Sequence, residues 1–456
     1  MINKNEEYIV DIIDNGFSGE GIAKIDGFTV FVPNTLKGEK VKVKILKVVS
    51  SHAFAKVVEI IEKDDERQDV DCDTFYKCGG CTLRFAKYDK TLEIKKEAVV
   101  NTFKKNYGKE VEIEEIIGME NPYNYRNKLQ YPVGMNAQNK PVMGVFRERS
   151  HEIIETYSCK IQDDTSEKIA NRIYEFIKEN KINVYNEKKL TGSIRHIIIR
   201  IGKTTGEVMV VLVTNDEKIE RENALVEMLK KEFECITTIV KNINNKNTNV
   251  ILGKRNITLF GPGFIYDYIG KYKFKISPMS FYQVNPVQTE KLYSKAVEYA
   301  SLTGGETIYD LYCGIGTIGI FASENVEKIY GIETVEQAII DARANAKLND
   351  IKNAEFFVGD VEKVLPEFIK ETNAEPDVIF IDPPRKGCDE IAIETLLKIK
   401  SKKLVYISCN PATLARDAKL LEEKYELEKI SLVDMFPFTS HVEAVASFKL
   451  NYFKLI

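Results

Sequence analysis

Short apolar runs alternating with polar positions fill the first 62 residues. Residues 8–13, 21–25, 28–32, 40–49 and 53–61 each read as a strand, with turns at Asn15-Gly16, Ser18-Gly19, Asp26-Gly27 and Lys37-Gly38. Five short strands in so few residues predict a small closed β-barrel of the oligonucleotide-binding kind. A charged stretch at 63–69 marks a boundary. From 70 to 272 the pattern is mixed. Leu92, Ile94, Ala98, Val99 and Phe103 recur at helical spacing near 88–106, a second helix is expected over 166–180, and strands at 128–133, 142–145, 194–200 and 207–213. From 273 onward, apolar runs at 307–311, 328–332, 355–358, 378–381 and 404–407 alternate with helical stretches. That alternation predicts an α/β fold with a doubly wound parallel sheet. The expected division is 1–62, 63–272 and 273–456.

Composition sets limits on this picture. The 456 residues imply two to four domains at about 100–200 residues each. With 44% hydrophobic and 29% charged residues, the chain is globular in composition. No apolar run is long enough to span a bilayer, and the N-terminal stretch lacks a basic start followed by an apolar core, so a cytoplasmic protein is expected. The 65 basic and 69 acidic residues give a net charge of −4, unlike a generic nucleic-acid coat. Local patches still set the field a ligand feels. Lys37, Lys40, Lys42, Lys44 and Lys47 form one such patch, which reads equally as an RNA contact or as a lysine-guarded strand edge.

The run at 307–311 leads into Gly314-Ile-Gly316-Thr-Ile-Gly319, a strand, a glycine turn and the start of a helix. Glycine is needed where backbone must approach a ligand closely. Glu333 closes the next strand, the expected place for a carboxylate that grips ribose hydroxyls. Asp310, four residues before the first glycine, and the turn Asp382-Pro-Pro-Arg385 favour S-adenosylmethionine over NAD. Asp360 ends the third strand region, where adenine would lie. All four acids fall at strand C-terminal ends, where open α/β sheets bind ligands.

Cys409 ends the run at 404–407 and precedes Asn410-Pro411, a turn. A thiolate so placed could add to carbon 6 of uracil and make carbon 5 nucleophilic enough to take a methyl group. That chemistry also needs a base in the same cleft, and the tail from Asp434 through His441 to Glu443 supplies candidates. Separately, Cys72, Cys78, Cys81 and Cys159 are four potential thiolate ligands, which suit zinc or an iron–sulfur cluster.

Through Asp382-Pro-Pro-Arg385, Ser408-Cys-Asn-Pro411 and His441-Val-Glu443, the chain resembles the RNA (uracil-5-)-methyltransferase family. The resemblance implies Cys409 as nucleophile, Glu443 as the proton-abstracting base, and Gln283, Tyr312, Glu333 and Asp382 as contacts to S-adenosylmethionine. In some members an Asn stands where this chain has Thr317 and another where it has Asp360. Asn285, before Pro286, reads as a helix cap. Residues 1–62 look like the small RNA-binding TRAM barrel of the ribosomal-RNA branch. Tyr125-Arg-Asn-Lys128 and residues 194–200 match patterns in the family's RNA-contacting central domain, and 88–120 would pack with the catalytic domain. The spacing of Cys72, Cys78 and Cys81, with Cys159 as fourth ligand, matches that branch's [4Fe-4S] site, and zinc is the lesser reading.

The expectation is therefore an enzyme making 5-methyluridine in 23S ribosomal RNA, acting as a monomer with no membrane partner. Transfer RNA is the alternative substrate. An amino-group methyltransferase acting on adenine or cytosine also uses an acid-Pro-Pro turn, but usually with an aromatic residue where this chain has Arg385, and has no need of Cys409. A non-catalytic RNA-binding protein is a third reading, disfavoured by Cys409, Glu443 and Asp382 together.

Overall fold

The computed structural model describes residues 2–372 and 375–454; the outermost positions of the first and last predicted segments, and 373–374, lie outside the described residues. The N-terminal barrel has the five expected strands, Glu7–Asp11, Gly21–Ile25, Phe28–Val32, Lys40–Val48 and His52–Glu62, plus a short one, Asp14–Asn15. Glu7–Asp11 pairs with Lys40–Val48, while Asp14–Asn15 pairs with Gly21–Ile25. One kinked segment thus joins both edges of the sheet and closes it. Val10, Ala23, Val30, Val41, Val43 and Ala53 fill the interior. Three lysines of the patch face carboxylates. Lys42 pairs with Glu7 at 2.9 Å, Lys40 with Glu62 at 3.7 Å, and Lys37 with Asp14 and Glu97 at 3.8 Å.

A second sheet follows, ordered Ile153–Glu155, Pro141–Phe146, Lys128–Met135, Ile194–Ile201, Val208–Thr214, Ile236–Ile243 and Arg255–Phe260. Its strands show the alternation that buries one set of side chains on each face. Leu129, Tyr131, Ile197, Ile199 and Val210 pack under the helices Asp164–Glu179 and Glu222–Glu232. Asp163 caps the first of these, its carboxylate accepting from the Thr165 and Ser166 amides at 2.8 and 3.4 Å. On the other face Ile198, Met209 and Val211 join a core shared with the hairpin Ile265–Ile269/Tyr272–Ile276 and the C-terminal sheet.

In the C-terminal sheet the five runs expected as parallel strands are parallel, and three further strands extend it. Its order is Ala354–Val358, Lys328–Glu333, Thr307–Leu311, Val378–Ile381, Lys403–Ser408, Glu443–Leu450, Tyr425–Val433 and Ile116–Ile117. The first five strands are parallel, but Glu443–Leu450 runs antiparallel to both neighbours. The chain passes out along Tyr425–Val433 and returns inside it as a hairpin, and a hairpin return must be antiparallel. The helix Tyr88–Asn106 packs here as well. Val99, Phe103 and Tyr107 share a core with Leu404, Tyr406, Leu414 and Phe448.

The loop 434–442 of that hairpin is anchored by a buried ion pair. Lys95 Nζ donates to Asp434 Oδ1 at 2.6 Å, with both side chains fully buried, and to the Phe436 carbonyl at 3.1 Å. Tyr88 Oη donates to Asp434 Oδ2 at 2.8 Å, so both carboxylate oxygens are engaged. Removing one partner strands the other charge in the core. Lys95→Met is expected to lower unfolding free energy by about 3–5 kcal/mol. The double variant Lys95→Met/Asp434→Leu should lose clearly less, as urea unfolding would show.

Candidate active site

The C-terminal ends of the parallel strands open onto a cavity of about 900 Å³. Each candidate side chain reaches it for a local reason. Ser408 Oγ accepts from the Asn410 amide at 3.1 Å, turning the chain sharply after its strand. The Asn410 side chain then caps Pro411–Leu421, accepting from the Ala412 amide at 3.1 Å, while its Nδ2 donates to the Arg385 carbonyl at 3.0 Å. Cys409 is thereby presented half-buried at the cavity wall, tied to the Asp382-Pro-Pro-Arg385 turn.

Glu443 arrives from the opposite direction. The antiparallel register sets Ser408 against Ala444, so the next position on each strand sets Cys409 beside Glu443. Glu443 is 4% exposed, and burial, with Asp382 close by, raises its carboxyl to about 8. Burial and the neighbouring Glu443 raise the Cys409 thiol to about 11. The Arg385 guanidinium opposes both shifts and favours the ionised forms.

On the far side of the cavity the glycine turn shapes the floor. Gly316 adopts φ 79°, and a Cβ there would stand 2.9 Å from the Phe356 ring. The Gly319 amide donates to Asp310 Oδ2 at 2.9 Å, while Asp310 Oδ1 is buried without a partner. Burial raises the carboxyls of Asp310 and Asp382 to about 7 each. Glu333 accepts from the Gly314 and Val335 amides at 3.3 and 2.9 Å, which holds its carboxylate at the rim. Tyr312, at φ 63°, donates through Oη to Glu362 at 3.0 Å. The carbonyl of Gln283 accepts from Asn127 Nδ2 at 2.9 Å, which fixes the segment carrying it.

Cys409, Glu443, Gln283, Tyr312, Glu333 and Asp382 all line this one cavity, as do Thr317 and Asp360. Asp434 and His441, the other acid–base groups of the tail, do not. Asp434 is held by Lys95 and Tyr88. Asn285 is the cap expected, accepting from the Gln288 amide at 3.3 Å. Sequence reasoning passed over Phe281, Tyr293, Ile391 and Phe436, which complete the wall. Phe281 is 71% exposed, and nothing in a lone aromatic beside a polar run separates such a ring from a core one.

Residues 87–449 match the tRNA (Uracil-5-)-methyltransferase family, and residues 3–58 match the TRAM domain. This chain belongs to the tRNA (uracil-5-)-methyltransferase family. It is 50% identical over 453 residues to an uncharacterized RNA methyltransferase of Clostridium acetobutylicum, covering 98% of each chain. An uncharacterized RNA methyltransferase of Staphylococcus epidermidis is 46% identical over 448 residues, again with 98% of each chain covered. Among solved structures, the Pyrococcus abyssi tRNA (uracil-54, C5)-methyltransferase in complex with S-adenosyl-L-homocysteine is similar with TM-score 0.77 and 30% identity, covering 96% of this chain and 100% of that one. The C-terminal half thus carries the S-adenosylmethionine-dependent methyltransferase fold, behind an N-terminal TRAM domain.

In this family member the four cysteines expected to bind metal are neighbours. Burial raises the Cys81 thiol to about 12, and Cys159, Cys78 and Cys72 each add to the rise. The Gly80 amide donates to Cys78 Sγ at 3.2 Å. Their sulfurs are not gathered on a common centre, however. Among the described residues no group of three or more His, Cys, Asp or Glu side chains is arranged to hold a metal ion. Nor is any helix long and apolar enough to cross a membrane among those residues.

Three raised carboxyls, two lining the cavity and Asp310 buried beneath it, predict how stability varies with pH. A group whose folded pKa lies above its unfolded value contributes stability below the unfolded pKa and loses it as pH rises through the folded one. For Asp310, Asp382 and Glu443 that window runs from the ordinary values of 3.8 to 4.5 up to about 7 to 8. The melting temperature of the free protein is expected to fall across pH 5 to 8. Glu443→Gln should flatten the upper part of that fall, and scanning calorimetry at stepped pH would measure it.

Proposed function

We propose that this enzyme methylates carbon 5 of a uridine in folded RNA, 23S ribosomal RNA in particular, through a transient bond between Cys409 and the pyrimidine. The observation that carries this reading is the register that sets Cys409 beside Glu443 at the wall of one cavity. S-Adenosylmethionine, when bound, supplies a sulfonium methyl group. Carbon 5 of uracil is too weak a nucleophile to take it unaided. Cys409 Sγ adds to carbon 6, the electron pair moves to the ring as an enolate, and carbon 5 becomes nucleophilic. Once carbon 5 carries the methyl, Glu443 removes the remaining proton there, the double bond re-forms, and Sγ leaves with its electron pair. Because Glu443 must be ionised to act, turnover should rise as pH climbs towards and past about 8.

Glu333 would hold the ribose of the methyl donor, with Gln283, Tyr312 and Asp382 as the remaining contacts. A cationic sulfonium suits this cavity, because buried carboxyls held near neutrality ionise more readily beside a positive charge. Phe281 offers an exposed ring at the cavity edge against which an unstacked base can lie. In this reading residues 1–62 and 63–272 grip the RNA, and 273–456 carry the chemistry.

The ribosomal assignment rests on the Cys72, Cys78, Cys81 and Cys159 spacing, which resembles the [4Fe-4S] site of that branch. Four adjacent unpaired thiols fit a soft metal centre, and binding would draw their sulfurs together. Its role would be structural, since the methyl transfer exchanges no electrons. Iron and acid-labile sulfide analysis separates the cluster from zinc. Transfer RNA is the second reading, favoured by the likeness to the Pyrococcus abyssi enzyme. Mass mapping of methylated uridines in both RNAs, from cells with and without the protein, decides between them.

Two outcomes test the chemistry. Cys409→Ala should abolish methylation while binding the donor normally. Glu443→Gln should slow release by about 10²–10⁴-fold and accumulate a slow-migrating protein–RNA adduct on denaturing gels. The cavity electrostatics give a third expectation. Binding of S-adenosylmethionine should release protons near pH 7 and tighten as pH rises, whereas S-adenosylhomocysteine, which lacks the sulfonium charge, should do so far less. Calorimetric titration in buffers of different ionisation enthalpy would measure the difference.

A further inference from the structure

The charge of Arg385 reaches both Cys409 and Glu443, yet nothing bonds its own side chain. Arg385 is exposed, and among the described residues its guanidinium has no hydrogen-bond or ion-pair partner. Its place at the cavity is therefore set by the backbone of residues 384–388. That place matters to the thiol. Burial raises Cys409 to about 11, the carboxyls of Glu443 and Asp382 add to the rise, and Arg385 is the charge that opposes them.

The loop is gripped from the helix Pro411–Leu421, which starts two residues after Cys409. Asn410 Nδ2 holds the Arg385 carbonyl at 3.0 Å. Arg416 Nη2 donates to the Lys386 and Cys388 carbonyls at 3.0 and 2.8 Å, and its Nε donates to Asp417 Oδ1 at 2.8 Å. Asp417 is fully buried, and its Oδ2 accepts from the Cys388 amide at 2.9 Å and from Tyr406 Oη at 2.7 Å. Tyr406 belongs to Lys403–Ser408, the strand that delivers Cys409. One carboxylate thus ties the loop, the helix and the strand together. The loop is shaped to admit this grip. Gly387 adopts φ 76°, and a Cβ there would stand 2.6 Å from Arg416 Nη2 and 2.7 Å from Asp417 Oδ2.

We propose that Arg416 and Asp417 are positioning residues for the methyl transfer, holding the loop 384–388 so that the Arg385 guanidinium stays beside Cys409 as the thiol ionises. Neither lines the cavity, so they act through Arg385. A cation held beside a thiol favours the thiolate, the form that adds to carbon 6. An exposed arginine on a loosened loop spends its time in solvent, where its charge is screened. The fork of Arg416 is what the grip requires. A lysine there keeps the charge but cannot bridge two carbonyls and a carboxylate at once. The inference deepens the proposed role of Cys409 as nucleophile and rests on it.

The test uses the full chain, alkylated with iodoacetamide at about pH 8 without RNA or donor, and follows the Cys409 peptide by mass spectrometry. Arg416→Lys should slow alkylation of Cys409 about threefold. A rise of about one unit in the thiol's pKa leaves about tenfold less thiolate, and the greater nucleophilicity of a more basic sulfur offsets part of that loss. A merely structural role predicts the opposite sign, because a loosened loop uncovers the thiol and speeds the reaction. Arg385→Gln should slow alkylation at least as much, and Arg385→Gln/Arg416→Lys no further than Arg385→Gln alone. Gly387→Ala, which presses on Arg416 and Asp417 from the loop side, should reproduce the effect of Arg416→Lys, and Asp417→Asn should act in the same direction. Arg416→Lys is the deciding variant, because Arg416 is exposed and its replacement leaves the core packed. Unchanged or faster alkylation in Arg416→Lys, or effects of the Arg385 and Arg416 variants that add, would overturn the proposal. Absence of any methylated uridine would overturn the proposed function yet leave this comparison of alkylation rates intact.

Discussion

The reversal of one strand is the constraint on which the site depends. Had Glu443–Leu450 continued the parallel series, its first residue would lie at the opposite edge of the sheet from Cys409, a strand length away. Entering antiparallel between Lys403–Ser408 and Tyr425–Val433, it instead begins where the parallel strands end. Side chains alternate faces along a strand, so a slip of one residue would turn Glu443 away from Cys409. The hydrophobic faces of the insert resist that slip. Ala444, Ala446, Phe448 and Leu450 fill one core, while Val445 fills the other.

A second constraint follows from burial. Asp382 and Glu443 line the same low-dielectric cavity, Asp310 is buried beneath its glycine turn, and each is held far above the ordinary carboxylate range, chiefly by burial. Such a group of acids is costly in the free protein and gains most from a positive ligand. Arg385 is the cation that already meets it, favouring ionisation of both Cys409 and Glu443.

Much of this was legible in the chain. The strands at 307–311 and 378–381 fall where periodicity places them, because buried parallel strands read as unbroken apolar runs. Cys409 and Asp382 were visible because a following asparagine or proline announces their turns, and Glu333 because it closes a strand after the glycine turn, whereas Gln283, Tyr312 and Glu443 were singled out only by the family resemblance. Less legible were features made by distance in the fold. Ile116–Ile117 joins the catalytic sheet beside Leu432 and Val433, more than 300 positions away, and two residues carry no periodic signal. Tyr425–Val433 contains Glu426, Glu428 and Lys429 on its outer stretch, which masks a strand as a polar helix. The cross-strand pair of Lys128 and Arg200 was equally hidden. Lys128 and Arg200 are 72 residues apart, and only register reveals that they oppose each other.

Distance also explains why the cysteine-bearing segment matters to a site it does not line. The amides of Thr82 and Leu83, directly after Cys81, both donate to the Phe438 carbonyl, at 3.0 and 2.9 Å. The Ser440 amide donates back to Thr82 Oγ1 at 2.9 Å. Arg84, 1% exposed and paired with Asp71, lies over the Phe438 ring at 4.6 Å. Phe438 adopts φ 62°, a left-handed conformation that a large side chain tolerates only when its surroundings hold it there. Those surroundings are the segment 82–84 on one side and Tyr88 and Tyr123 on the other. Phe438 stands midway between Asp434 and Glu443, so the segment after Cys81 packs directly on the loop that leads into Glu443.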